Sequence, residues 1–244
     1  MKYISNWLWQ EKVETQSTND DAIELSCKLS GEPFIISTQK QSKGRGRRGR
    51  TWIGMEGNLF FSQGLIFDVK NIGQLIFISS LSLYQTIKAL APSSRKVEIK
   101  WPNDILIDDA KVSGTLLEKG CNKYLIIGIG VNICASPQQQ NMMYPVTSLK
   151  EKGIDIDRLS FLRSYIENFD HNYEIWQKLG FGPIKTQWLS ATKGLKEEIC
   201  VHNLSEEKRG LFLDIGEQGE LLLQQGRKTE PIYAGDIFYI KKEK

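Results

Sequence analysis

The chain has 244 residues, 40% of them hydrophobic, enough for one large and one small domain with a substantial core, so folding is expected to need neither metal nor disulfide. A formal net charge of only +3 excludes the broad cationic excess of a dedicated nucleic-acid binder. The four cysteines, Cys27, Cys121, Cys134 and Cys200, are scattered with no CxxC pair and read as reduced packing residues without a histidine to complete a zinc site.

No segment reaches the ~18 apolar residues of a membrane span, and the first residues lack the pattern of a cleaved leader. A cytoplasmic protein is expected. His171 and His202 read as surface residues, which argues against imidazole catalysis.

In chain order, "STNDDAIELSCKL" predicts a helix capped at Ser17, with Ala22, Leu25 and Leu29 on its apolar face and a stop at Gly31 and Pro33. "FIIST" (34–38) and "NLFFSQGLIF" (58–67) predict two strands with the basic run "SKGRGRRGRTW" (42–52) hung between them. Asn71 is the expected cap of a buried helix, "IGQLIFISSLSLYQTIKAL". The segments "VEIKW", "KVSGTLLE" and "YLIIGIGVNI" then predict an antiparallel meander with turns at 102–104, 108–110 and 119–123. Residues 134–148, with Pro137, Pro145 and three consecutive glutamines, read as a loop. Asp157 should cap a long amphipathic helix whose buried face carries Leu159, Leu162, Ile166, Phe169, Tyr173 and Trp176. From Leu195 on, short strands separated by Asn203, Gly216, Gly219, Gly226 and Gly235 predict a small β-barrel, with a domain boundary near Lys193.

Four motifs could carry chemistry. In "GRGRRGR" the glycines let the backbone approach a ligand and the guanidinium groups add charge-assisted hydrogen bonds, a combination suited to phosphate. A solvated face or a nucleic-acid arm is the alternative for such a run taken alone. "KWPND" (100–104) joins a cation, an indole and an amide–carboxylate pair, of which turn chemistry explains only the last three residues. Gly114 in "KVSGTLLE", and Gly128 and Gly130 in "GIGVN", weaken strands unless something approaches the backbone closely; a bulge or a crowded core would account for either case alone.

These motifs, in this order and over nearly the whole chain, resemble biotin protein ligase. The resemblance implies an α+β fold: a mixed, largely antiparallel sheet flanked by helices, as in class II aminoacyl-tRNA synthetases and biotin/lipoate ligases, with a C-terminal SH3-like β-barrel. It implies a catalytic domain over residues 1–193 and the SH3-like domain over 194–244. Ser17, Thr18, Asn19 and Gln41 would meet biotin, with Gly114, Gly128 and Gly130 letting the sheet approach it. Arg45 and Lys111 would bring the biotin carboxylate and the phosphoryl group together. Arg47, Arg48, Arg50, Trp52, Lys100, Asn103 and Asn132 would hold ATP and the adenylate, and Asp104 is either a Mg²⁺ partner or a turn residue.

Lys43 and Thr115 depart from the family pattern, where small and aliphatic residues are usual, and neither is expected to touch the chemistry. Only sixteen residues precede Ser17, so no winged-helix DNA-binding domain and no DNA binding are expected. The implied reaction is ATP-dependent formation of biotinyl-AMP and transfer of biotin to a lysine of a biotin carboxyl carrier protein, without a membrane and in a monomer or a homodimer. A lipoate or octanoate ligase of the same superfamily, or a nucleic-acid module built on residues 43–50, is the alternative.

Overall fold

The computed structural model describes residues 2–67, 71–137, 144–202 and 206–240. The glutamines at 138–140, the turn at Asn203 and the last residues of the final predicted strand lie outside them.

The main body is an eight-stranded sheet, in spatial order β1 (Lys2–Ile4), β2 (Trp7–Lys12), β3 (Phe34–Thr38), β6 (Leu59–Ile66), β10 (Tyr124–Val131), β9 (Ala110–Lys119), β8 (Asp104–Ile107) and β7 (Val97–Lys100). All neighbours are antiparallel except β2 and β3, whose parallel pairing requires a crossover, supplied by helix α1 (Thr18–Ser26). The expected meander forms, with β8 as an additional strand within it. β1 and β2, unassigned from sequence, complete the far edge: Trp7 and Trp9 alternate inward and are buried.

Strand alternation gives the sheet two unlike faces. Ile35, Leu125, Ile127 and Ile129 join the large core under α2 (Ile72–Leu90), α3 (Arg158–Leu179) and α4 (Phe181–Ser190). Phe34, Ile36, Tyr124 and Ile126 face the other way and pack with Ala22 of α1. On that second face the next two inward positions of β10 are Gly128 and Gly130, so the apolar cover stops and a cavity begins.

Ser17 caps α1 as expected, accepting from Asp20 N, and Asp157 caps α3 by accepting from Leu159 N and Ser160 N. Leu159, assigned to the buried face of α3, is instead exposed: it lies in the first turn, before the helix reaches the core. Asn71 occupies the cap position of α2 but makes no side-chain cap bond.

Two cysteines correct the reading of four free thiols. Cys27, at the end of α1, and Cys121, in the β9–β10 turn, form a disulfide, while Cys134 and Cys200 are free. The two are 94 residues apart in sequence, and only the packing of α1 across β10 brings them together. Ser26 Oγ also accepts from Cys121 N at 2.9 Å at this junction.

The C-terminal part is a five-stranded antiparallel sheet in the order β14 (Lys228–Ile232), β13 (Leu221–Gln225), β12 (Glu207–Ile215), β11 (Glu198–His202) and β15 (Asp236–Tyr239). β14 and β15 are its two edges and do not pair with each other, so among the described residues the sheet does not close into the expected barrel. It docks through the β12–β13 turn: Gln74 Nε2 donates to Glu217 O at 2.7 Å and Trp101 Nε1 to Gly219 O at 3.1 Å. A β-carbon built on Gly73 would stand 1.9 Å from Gln218 O. This docking fixes the start of α2 in place of the expected cap.

Because that contact is backbone against backbone, Gly73→Ala should destabilise the chain by about 1–3 kcal/mol, the usual cost of overpacking a tight contact. Thermal unfolding should show it. An unchanged midpoint would mean that the turn does not seat on α2.

Candidate active site

The cavity on the α1 face, about 230 Å³, is lined by Ser17, Thr18, Asn19, Gln41, Arg45, Arg47, Arg48, Arg50, Trp52, Asn103, Asp104, Lys111, Gly114, Gly128, Gly130 and Asn132. Of the expected site residues, only Lys100 is off its wall. Thr115, expected to stand clear of the chemistry, is on the wall, with a buried Oγ1 that has no hydrogen-bond partner.

At one end, α1 delivers hydroxyl and amide groups from its first turn. Gln41 Oε1 accepts from Thr18 N at 2.8 Å, and Ser62 Oγ lies 2.8 Å from Thr18 Oγ1 and 2.5 Å from Asn19 Oδ1. Asn19 Nδ2 donates to Glu118 Oε2 at 2.5 Å. Gly128 makes room for this network: a β-carbon there would fall 2.1 Å from Asn19 Oδ1. Gly130 does the same for the Trp52 indole, at 2.5 Å.

The basic run is a small hairpin, β4 (Gly44–Arg45) against β5 (Thr51–Trp52), with a 3₁₀ turn at Arg47–Gly49 between them. Arg48 and Gly49 both take positive φ, 58° and 73°, which reverses the chain in so few residues. Its guanidinium groups are turned onto carboxylates from three other elements. Arg45 forms a two-pronged bond to Asp20, at 2.9 and 2.6 Å, and a third to Glu118 at 3.1 Å. Arg48 and Arg50 share Asp236 of β15, at 3.2 and 3.0 Å. The Arg45 hydrogen bonds hold the Asp20 carboxyl below its usual range and keep the guanidinium more firmly charged. Burial opposes ionisation of Asp236, yet the Arg50 bonds outweigh it and its pKa also falls.

Arg47 differs. It is half-buried, its Nη1 donates to Asn103 Oδ1 at 3.2 Å, and desolvation pulls its pKa down. Asn103 in turn donates to Thr115 O at 2.5 Å, so the amide of "KWPND" braces the hairpin against the sheet. Trp101 of the same motif, buried, reaches the C-terminal turn rather than the cavity.

Lys111 enters the cavity because the β8–β9 register shifts between Ile105 and Leu106, leaving Val112 unmatched; such a bulge re-aims a side chain. Its Nζ lies 2.7 Å from Asp104 Oδ1 and 5.3 Å from the Trp52 ring centroid. Gly114 accommodates this pair, both of whose charged atoms would be 3.1 Å from an added β-carbon. Lys100 sits behind the wall, with its Nζ 3.0 Å from the centroid of Tyr144, a residue that does line the cavity. Burial pulls the Lys100 pKa down to about 7, with partial relief from Asp104. Asn132 is buried with its amide committed, donating to Thr147 O at 3.1 Å and accepting from Asn58 at 3.3 Å.

Asp20, Glu118, Asp236, Ser62 and Tyr144 were not singled out from sequence. Asp20, Ser62 and Glu118 had a signal in the helix-cap and strand patterns that contain them, Glu118 closing "KVSGTLLE"; Asp236 and Tyr144 stand in none of the four motifs.

The chain also has recognisable relatives. Residues 12–133 match the biotin/lipoate A/B protein ligase family and residues 198–239 the biotin protein ligase C terminal domain. Over 239 residues the chain is 31% identical to a biotin–[acetyl-CoA-carboxylase] ligase of Paracoccus denitrificans, covering 93% of this chain and 98% of that one. It is 33% identical over 235 residues to the bifunctional ligase/repressor BirA of Bacillus spizizenii, covering 91% of this chain and 70% of that one. The solved structure of biotin protein ligase from Aquifex aeolicus in complex with biotin and ATP matches with a TM-score of 0.81 at 26% identity, over 95% of this chain and 97% of that one.

Adding a methyl group at Gly128 must push the Asn19 amide out of its network, so Gly128→Ala should cost about 1–3 kcal/mol of stability. In an Asn19→Ala background the same change should cost much less, because the colliding group is gone. Denaturant unfolding of the four chains measures the coupling. Additive costs would mean that the two positions do not compete for space.

Proposed function

The chain belongs to the biotin protein ligase family, and from that membership we propose that it activates biotin with ATP to biotinyl-AMP and transfers the biotin to a lysine of a biotin carboxyl carrier domain. The observation that carries this reading is that one cavity joins a hydroxyl and amide network to four arginines and a lysine. A ureido ring, uncharged and rich in hydrogen-bonding groups, suits Ser17, Thr18, Asn19 and Gln41. A long apolar acyl chain, the requirement of a lipoate or octanoate ligase, does not. A nucleic-acid arm would present its arginines outward, whereas Arg45, Arg48 and Arg50 are bound to carboxylates of their own chain.

In the first step the biotin carboxylate attacks the α-phosphorus of ATP and pyrophosphate leaves. In the second, the carrier lysine attacks the mixed anhydride and AMP leaves. Two anions must meet, and the barrier falls chiefly through positioning and through cations placed where charge develops. Lys111 and Arg45 take that role at the reacting groups. Arg47, Arg48 and Arg50 hold the phosphates, the last two exchanging Asp236 for a stronger anion, while Asn103 and Asn132 fix the wall and Trp52 flanks the adenine. Mg²⁺, when bound, would neutralise charge on the phosphate oxygens. Asp104 is the wall carboxylate suited to steady it, one or two carboxylates plus phosphates being a usual donor set. The same reading assigns residues 1–193 to the catalytic unit and 194–244 to an SH3-like unit, supported by the change from one sheet to the other after α4.

The test is transfer of biotin to a purified carrier domain with ATP and Mg²⁺, with lipoate and octanoate as competing acids. Lys111→Ala should lower adenylate formation by roughly 10²–10³-fold, the scale for losing one electrostatic stabiliser, with little change in unfolding temperature. Near-normal adenylation by this variant would remove Lys111 from the mechanism.

A pH dependence follows from Lys100. Its ammonium is present below about pH 7 and lost above it, so the positive potential behind Tyr144 weakens as pH rises. kcat/KM for ATP, which reports the free enzyme, should therefore fall as pH rises through about 7. Lys100→Arg keeps the charge and should flatten that limb; a fall that persists in it belongs to another group.

A further inference from the structure

We propose that Cys200, His202 and Glu207, at the rim of the C-terminal sheet, form a binding site for a zinc-class divalent cation. The sequence reading found no histidine to serve a cysteine, yet strand alternation places Cys200 and His202, two residues apart on β11, on one face. Glu207 of β12 is the register partner of His202 and joins them there. One ligand atom from each of the three lies within 4.8 Å of the others.

His202 Nε2 is 3.0 Å from Glu207 Oε2. Two bonds of ~2.0–2.1 Å at a tetrahedral angle hold their ligand atoms about 3.3 Å apart, so an ion could replace that contact almost in place. The Cys200 sulfur, within 4.8 Å of the other two ligand atoms, has at most about 1 Å to close to reach the ~3.6 Å spacing of a sulfur and a nitrogen on one zinc. Arg209 Nε donates to Glu207 Oε1, the other carboxylate oxygen, at 2.9 Å, and so can stay as an outer partner that fixes the carboxylate.

Ligand chemistry selects the ion. One thiolate and one carboxylate cancel a double positive charge, and the imidazole stays neutral. A sulfur–nitrogen–oxygen set suits Zn²⁺ or Co²⁺, whereas Mg²⁺ and Ca²⁺ want oxygen alone. Cys200 is a free thiol, buried, and Phe238 backs the site, with its ring centroid 4.4 Å from that of His202. This apolar wall shields the sulfur, and a water would complete the tetrahedron from the open side.

The test is a Co²⁺ titration of the full chain after chelator treatment. One equivalent should produce a thiolate-to-cobalt charge-transfer band in the near ultraviolet, and Zn²⁺ should abolish it. Cys200→Ser should lose the band, while Cys134→Ser, which removes the other free thiol, should keep it. His202→Ala and Glu207→Gln should each weaken binding by roughly tenfold or more, since losing even an outer partner costs roughly 10–100-fold. Zn²⁺ should raise the unfolding temperature of the parent chain and not of Cys200→Ser. Retained biotin adenylation would show that each variant is folded. No band at one equivalent, or a band that survives Cys200→Ser, overturns the assignment.

Discussion

Everything at the cavity depends on neutralising a dense cluster of guanidinium groups inside a half-buried space. Four arginines within six residues would repel one another and leave their wall open if nothing answered their charge. The chain answers with carboxylates drawn from distant elements: Asp20 in the first turn of α1, Glu118 on β9 and Asp236 at the start of β15. The hairpin at residues 44–52 is therefore positioned by tertiary structure rather than by its own short strands. Each carboxylate also stands in for an anion, and a phosphate arriving at Arg48 or Arg50 meets groups already gathered and oriented.

The sheet supplies the complementary constraint. On the α1 face, the apolar column Tyr124–Ile126 gives way to Gly128 and Gly130, so the strand that seals the core at one end opens it at the other. The space goes first to Asn19 and Trp52, whose side chains join the helix, the hairpin and the sheet into one wall. Beneath it the bulge at Val112 turns Lys111 inward. Positioning, the main resource of a phosphoryl-transfer site without a covalent intermediate, thus comes from places where regular strand geometry is interrupted.

Local features were legible in the sequence because local physics decides them. Ser17 and Asp157 announce their helices, the strands from Phe34 to Val131 alternate or run apolar, and the out-of-place glycines mark the cavity. What could not be read depends on long-range juxtaposition. Cys27 meets Cys121 only after α1 crosses β10, and Asp236 reaches Arg48 from the other end of the chain. Lys100, grouped with the nucleotide residues through its motif, lies behind Tyr144, because its strand is the sheet's outer one and the Tyr144 ring stands between it and the cavity. Leu159 obeys the helical period but precedes the core that would bury it. Cys200 and His202 are separated in sequence by Val201 alone, and a strand period of two, applied to polar residues as readily as to apolar ones, pairs them.

The seating of the β12–β13 turn also determines where the chain can be lengthened. Hairpin tips are normally the most forgiving points for inserted residues. Here two such tips lie one strand apart with opposite properties. At Gly226, between β13 and β14, nothing stands within 4 Å of an added side chain, and a tag or a fused domain can leave the surface freely. At Glu217–Gly219 the backbone is sandwiched between Gly73, Gln74, Phe77 and Trp101, so an insertion there would lever the C-terminal sheet, and Asp236 with it, away from the arginines. The two sheets are thus joined not only by the covalent chain through residues 191–197 but also by this seated turn, and length polymorphism should accumulate at the first tip while the second keeps its size.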